Sequence, residues 1–275
     1  MEFSARETVQ KGVRMKRDYR GILIMSDLDG TFMGDDGKLV PRNLEALARF
    51  RAGGGLFSFA TGRVHTTIEQ FLLPGWRELI NCPAIMCNGA CVYDPIQEQV
   101  LMETSLDGKC IRSAVSKLFH SGLFSVTNFY ADGDYTCYHN VAPEDIASDH
   151  WHKAVFLGTS ENVCIGKQLL SEEGSHDYRF FRTAPTLLEI LPSDGGKGPM
   201  LNRLKDYYKA QNRSVLTIGV GDYENDLDLL QCADIGIAPA NALDEVKQAA
   251  DRIVCSNCDG AIADIIDAID RGELL

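Results

Sequence analysis

Four short segments of this 275-residue chain gather carboxylates, hydroxyls, glycines and single cations: Asp27, Asp29, Gly30 and Thr31; Thr61, Gly62 and Arg63; Lys197 within DGGKG; and Gly221, Asp222, Asn225 and Asp226. Taken singly, each has an ordinary reading, as a turn, a helix start or an acidic cap. Taken together, they suit phosphoryl transfer, which needs a positioned nucleophile, neutralised phosphate oxygens and the handling of one proton. A carboxylate can attack phosphorus to form an acyl phosphate that water then cleaves, and Asp27 is the candidate for that role. Asp29 stands two residues on, across the turn, and can reach the opposite side of the phosphorus. It is the candidate acid for the leaving alcohol and base for the attacking water. Asp27, Asp222 and Asp226, converging with a backbone carbonyl, would repel one another unless a hard cation sat among them, and Mg2+ suits such oxygen ligands. Lys197 can screen nucleophile and phosphate as a compact charge. Thr61 and the Gly62 N–H can donate to phosphate oxygens near a helix N-terminus.

These segments meet only if each closes a strand at one edge of one sheet, which is where open parallel sheets bind ligands. GILIMSD (21–27) is a continuous apolar run of the kind a buried parallel strand shows, and LFSFAT (56–61) and the run Pro83–Cys87 follow as second and third strands. Helices are expected over Pro41–Ala52 and Val64–Leu73. The middle changes character: two short strands over 88–102, an amphipathic helix over Asp107–His120, a hairpin of Leu123–Tyr130 with Tyr135–His139, and a strand pair of Tyr178–Thr183 with Leu187–Leu191. Strand-helix alternation then returns from Pro199 to Asp270. The pattern predicts an α/β protein with a doubly wound, Rossmann-like parallel sheet core over 1–88 and 191–275, and an inserted α+β cap domain over 89–190. The 88–102 hairpin could equally extend the core sheet. Residues 1–20 read as a basic, polar tail, with Met15 an alternative start.

Composition excludes several classes. A net charge of -12 repels nucleic-acid backbones and anionic lipid, and no apolar run approaches the roughly 20 residues of a bilayer span. The expected partner is a small phosphorylated metabolite, with no nucleic acid and no membrane. Nine cysteines, an odd number spread through apolar segments, read as reduced thiols of a cytoplasmic protein. The Cys255–Cys258 pair has no second pair with it and no redox context. Nothing marks a subunit interface, so a monomer is expected.

The motifs DLDGT (27–31), ATGR (60–63), the lysine of GGKG and GDYEND (221–226) resemble the four motifs of the haloacid dehalogenase superfamily. With the insertion between the second and third, and with NGA (88–90) and GIAPANA (236–242) similar in style, the chain resembles the Cof-type sugar-phosphate phosphatases. The resemblance covers nearly everything after residue 20. It implies that Asp27 is the phosphorylated nucleophile and a Mg2+ ligand, and that Asp29 is the acid/base and binds Mg2+ through its carbonyl. It further implies that Asp222 completes the metal ligands and that Asp226 sits beside the metal. Thr61, Gly62, Lys197 and Asn225 would contact the phosphate. Pro239-Ala240, where relatives often carry Met-Gly, and the glycines on both sides of Lys197 depart from the pattern without removing a chemical group.

The inserted domain is the expected lid, with His139, His150, Trp151, His152, Lys153 and Arg182 as candidates for reading the substrate, and Arg63 as a further candidate in the core. The function implied is a Mg2+-dependent phosphatase acting on a small phosphorylated metabolite, foremost a sugar phosphate. The alternatives are a phosphomutase of the phosphomannomutase kind and a catalytically idle sensor of a phosphometabolite.

Overall fold

The protein is described by a computed structural model over residues 17–71, 73–174 and 176–275, so the expected basic tail lies outside the described residues through position 16, while its last residues are packed, Tyr19 being buried against Phe50 with its hydroxyl donating to Asp270 Oδ1 at 2.5 Å. The first half of the core comprises β1 (Ile22–Ser26), α1 (Pro41–Ala52), β2 (Leu56–Phe59), α2 (His65–Phe71) and α3 (Trp76–Leu79). Three strands follow without helices, β3 (Ala84–Met86), β4 (Cys91–Asp94) and β5 (Gln99–Glu103). The insertion runs through β6 (Leu106–Asp107), α4 (Gly108–His120), β7 (Val126–Ala131), β8 (Thr136–His139), β9 (His150–Leu157), α5 (Ser160–Glu173), β10 (Tyr178–Ala184) and β11 (Leu187–Pro192). The chain returns as α6 (Lys197–Ala210), β12 (Leu216–Val220), α7 (Leu227–Cys232), β13 (Ile235–Pro239), α8 (Asp244–Ala249), β14 (Arg252–Val254) and α9 (Ala261–Arg271).

The core sheet is parallel, in the order β14-β13-β12-β1-β2. β1 is apolar on both faces because both are covered. Ile22 and Ile24 pack in one cluster with Phe50 of α1 and Ile266 of α9, while Leu23 and Met25 pack in another with Leu204 of α6 and Leu229 of α7. The winding of the sheet reverses between β1 and β12: the chain steps outward to β2 on one side and to β13 and β14 on the other, with every strand still parallel. That is the switch point where a doubly wound sheet opens a crevice at its strand ends.

One expected core strand is placed differently. β3 pairs antiparallel with β4, and β4 with β5, making a separate three-stranded sheet that meets the core through a parallel bridge between Ala60 and Ile85. By hydrogen bonding, the 91–103 hairpin therefore joins the core edge and not the sheet of the insertion. The reversal after β3 uses left-handed backbone at Cys87, Asn88 and Gly89, and a side chain on Gly89 would stand 2.1 Å from the Gly196 carbonyl. Only glycine permits that approach of the turn to the loop before α6.

The inserted sheet has the order β10-β11-β9-β7-β8, with β6 also on β9, and α4 and α5 cover one face. Its central strand β9 and helix α5 are the elements that sequence pattern does not predict. HWHKAVFL carries two histidines and a lysine where alternation would place apolar groups, and the tertiary structure buries His152 and Lys153 all the same. α5 is capped by Thr159, whose hydroxyl accepts from Asn162 N at 3.1 Å. With period two, Phe129, Ala154, Phe156, Leu188 and Ile190 face the helices. Asn128, Tyr130, Lys153, Val155 and Glu189 face the core crevice.

Candidate active site

Every predicted core segment ends at the crevice. Asp27 follows β1 directly and its N–H donates to the Val220 carbonyl at 2.8 Å, so the backbone locks the strand end beside β12. Gly30 has φ of 80°, and a Cβ there would lie 2.6 Å from Asp222 Oδ2; the Asp-Gly turn thus lets the loop after β1 lie against the loop after β12. Lys197 is the first residue of α6 and is fully buried. Its Nζ donates to Asp27 Oδ1 at 2.6 Å and to Asp226 Oδ1 at 2.5 Å. Asp226 is fixed in turn, since its Oδ2 accepts from the N–H groups of Asp222 and Tyr223 at 3.0 and 3.1 Å. The Thr31 hydroxyl donates to Asp222 Oδ1 at 2.7 Å.

The carboxylates of Asp27, Asp222 and Asp226 each offer an oxygen within 4.8 Å of the others. Burial pushes the Asp27 carboxyl well above its ordinary value; Lys197 pulls it down, and Asp226 and Asp222 push it up further. Burial, followed by the charge of Asp226, pushes Asp222 up to about 7. Burial alone would lower the Lys197 ammonium, but Asp226 and Asp27 hold it above the ordinary lysine value. One cation faces three carboxylates, Asp27 and Asp226 buried and Asp222 half-buried, more than it can balance once they ionise, and these all-oxygen donors fit a hard divalent ion such as Mg2+.

A cavity of about 660 Å3 opens over this cluster, lined by Asp27, Asp222 and Asp226 and also by Asp29, Gly62, Arg63 and Asn225. Asp29 is exposed and forked by Arg63, with Nε at 3.1 Å from Oδ2 and Nη2 at 3.3 Å from Oδ1. The candidate acid/base and the candidate core substrate residue are therefore partners. Thr61 is buried behind the wall, its Oγ1 accepting from Arg63 N at 3.2 Å. Of the six candidates in the insertion, Lys153 lines the cavity. Trp151 packs in the cap core, Arg182 pairs with Glu224 of the core, and His139 bonds Asn128 at 2.8 Å. His150 and His152 stand beside Glu103, away from this cavity.

The cavity's far wall sets the expected Lys153 among three groups that sequence reasoning did not single out, Glu189, Asn88 and Thr183. Glu189 on β11, 5% exposed, accepts from Lys153 Nζ at 3.1 Å, from Asn88 Nδ2 at 2.8 Å and from the Thr183 hydroxyl at 3.0 Å. Lys153 also donates to the Gly62 carbonyl at 2.8 Å, and Asn225 Nδ2 donates to Asn88 Oδ1 at 3.0 Å. One buried polar chain thus runs from the cap sheet into the predicted phosphate loops. Its signals in the sequence are Glu189 within the apolar run LLEILP and Lys153 directly before the apolar AVFL, since a buried charge demands a partner.

Comparison with known proteins agrees with this architecture. The family model for haloacid dehalogenase-like hydrolases matches residues 24–266. The 5-amino-6-(5-phospho-D-ribitylamino)uracil phosphatase YwtE of Bacillus subtilis is 26% identical over 290 residues, covering 91% of this chain and 98% of its own. The pyridoxal phosphate phosphatase YbhA of Escherichia coli is 26% identical over 273 residues, covering 89% and 97%. A solved haloacid dehalogenase-like hydrolase from B. subtilis shares the fold with a TM-score of 0.74 at 22% identity, covering 89% of this chain and 98% of its own. The family match begins inside β1 and ends inside α9, so it takes in all four strand-end segments, and this chain belongs to the haloacid dehalogenase-like hydrolase family.

Proposed function

We propose that the protein is a Mg2+-dependent phosphomonoesterase for a small phosphorylated metabolite, foremost a sugar phosphate, working in the cytoplasm through an aspartyl-phosphate on Asp27. The observation that carries this reading is the buried Lys197 bridging Asp27 and Asp226 at 2.6 and 2.5 Å, with Asp222 closing the carboxylate group. Asp27, Asp222 and Asp226, with the Asp29 carbonyl, would hold Mg2+. When bound, the ion supplies positive charge that offsets nucleophile and phosphate repulsion.

Asp27 attacks the phosphorus as its ester bond breaks, and the leaving alkoxide takes a proton from Asp29. Asp29 then accepts a proton from water as that water attacks the acyl phosphate, which frees phosphate and restores Asp27. Lys197 keeps Asp27 oriented, while the Gly62 N–H, Thr61 and Asn225 serve the phosphate oxygens. Arg63 holds Asp29 at the cavity and stands where a substrate enters. The segment from β6 to β11 acts as the cap, and its polar wall of Asn128, Lys153, Thr183 and Glu189 suits a polyhydroxylated leaving group. The names of YwtE and YbhA, both phosphatases of small phosphate esters, support the class.

The test is phosphate release from a panel of sugar phosphates, flavin mononucleotide, pyridoxal phosphate and an aryl phosphate, with Mg2+ or EDTA. Release is expected only with Mg2+, and Asp27→Asn is expected to remove at least about 10⁴-fold of the rate. Turnover that survives Asp27→Asn would overturn the mechanism.

A further inference from the structure

Away from the cleft, a second group of metal-binding side chains stands where the core-edge hairpin meets the cap. Glu103 closes β5, and His150 and His152 lie two residues apart at the start of β9; one ligand atom of each falls within 4.8 Å of the other two. His152 is fully buried. Its Nε2 lies 2.8 Å from the Asp132 carbonyl oxygen, which can only accept, so the neutral ring carries its proton there. Nδ1 is buried without a hydrogen-bond partner of ordinary geometry, and the Thr104 backbone also stands beside the ring. Tyr135 stacks on the ring at 3.9 Å between centroids and 14° between planes, which fixes its orientation. The charged side chains that act on the ring are Glu103 and His150.

This is how a ligating histidine is prepared: one nitrogen tied to a backbone carbonyl, the other left for the metal. His150 follows the same plan, with Nδ1 3.2 Å from the Ser105 hydroxyl and Nε2 3.9 Å from Glu103 Oε1. Two imidazoles and a carboxylate suit a borderline divalent cation far better than Mg2+. Donors around a tetrahedral Zn2+ stand about 3.3 Å apart. The Glu103 and His150 side chains, 45% and 52% exposed, have room to turn to that spacing around the fixed His152.

We propose that Glu103, His150 and His152 form a transition-metal site, separate from the active site, that binds Zn2+ with one position open to water. Glu103 belongs to the β3-β4-β5 sheet and the histidines to the cap sheet, with Thr104 and Ser105 between them. The Thr104 hydroxyl also bonds Asp194 on the returning linker. A bound ion therefore ties the core edge to the cap at the chain's crossing point.

The test titrates the full-length protein with Zn2+ alone as the probe, in excess Mg2+ so that the catalytic carboxylates are occupied. Binding is followed by calorimetry, and Co2+ absorption reports the ligand type. Wild type is expected to bind one Zn2+ with a Co2+ spectrum free of thiolate charge-transfer bands. His150→Ala is expected to weaken binding at least about 100-fold, and Glu103→Gln at least about 10-fold, both being exposed positions whose variants are checked for an unchanged metal-free melting temperature. Zn2+ should raise the melting temperature of wild type and not of His150→Ala. Equal affinity in all three proteins, a thiolate band, or no Zn2+ bound beside Mg2+ would each overturn the site.

Discussion

The two walls of the cleft solve opposite electrostatic problems. The core wall packs Asp27, Asp222 and Asp226 around the single ammonium of Lys197, so it holds more negative charge than its own residues neutralise. On the cap wall, Glu189 meets Lys153, Asn88 and Thr183, and a buried carboxylate is there satisfied by donors already in place. A wall left short of positive charge is built to receive a cation and a reacting group, whereas a satisfied wall is built to hold shape and present polar atoms. Between them, Asp29 and Arg63 pair across exposed ground, able to exchange partners when a phosphate arrives.

The largest effect that would break this contrast lies at Asp29. Asp29→Asn keeps the shape and removes the proton, so kcat in a phosphate-release assay should fall by about 10²- to 10⁴-fold while burst formation of the Asp27 adduct is retained with an activated aryl ester. Next comes Lys197→Met, which leaves Asp27 and Asp226 buried without their cation. Denaturation near neutral pH should show a loss of about 3–5 kcal/mol, shrinking in acid as the carboxylates protonate. A loss that is the same at every pH would mean that Lys197 is only a packing group.

On the cap wall the expected change is smaller and of another kind. Glu189→Gln removes the charge that holds Lys153 and Asn88, and should raise KM about tenfold with kcat within about threefold. A kcat collapse with KM unchanged would place Glu189 in the chemistry and erase the distinction. The smallest effect is a pH shift. Asp222 carries a value of about 7 against an ordinary 3.8, so in the metal-free protein its contribution to stability is full below about pH 4 and is lost as pH rises through 7. If Asp222 holds Mg2+ as proposed, the ion displaces that proton, and the Mg2+ needed for half-maximal rate should rise about fivefold to tenfold between about pH 7 and pH 6.

The same division separates what a linear reading of the chain carries from what it does not. The strand-end segments carry their chemistry within a few residues: Asp27 and Asp29 flank one turn, and Asp222 and Asp226 share one loop whose backbone N–H groups bind Asp226. Short spacing of that kind survives in a linear reading. β9 does not, because its polar residues break the alternation that marks a strand, and the partners that justify them lie elsewhere in the chain. β3 reads as a core strand because its residues are apolar, yet its pairing was decided by the left-handed turn at 87–89.

By itself the sequence determined a doubly wound core, an insertion between the second and third motifs, and a carboxylate and lysine set suited to phosphoryl transfer. Apolar periodicity and turn chemistry are local and act wherever the chain goes. Only the tertiary structure decided that Lys153 reaches Gly62, that Asn88 reaches Glu189 and that Arg63 holds Asp29, across separations of 91, 101 and 34 residues. Those contacts depend on strand register and on how the cap sheet lies over the core, and no short-range pattern encodes either.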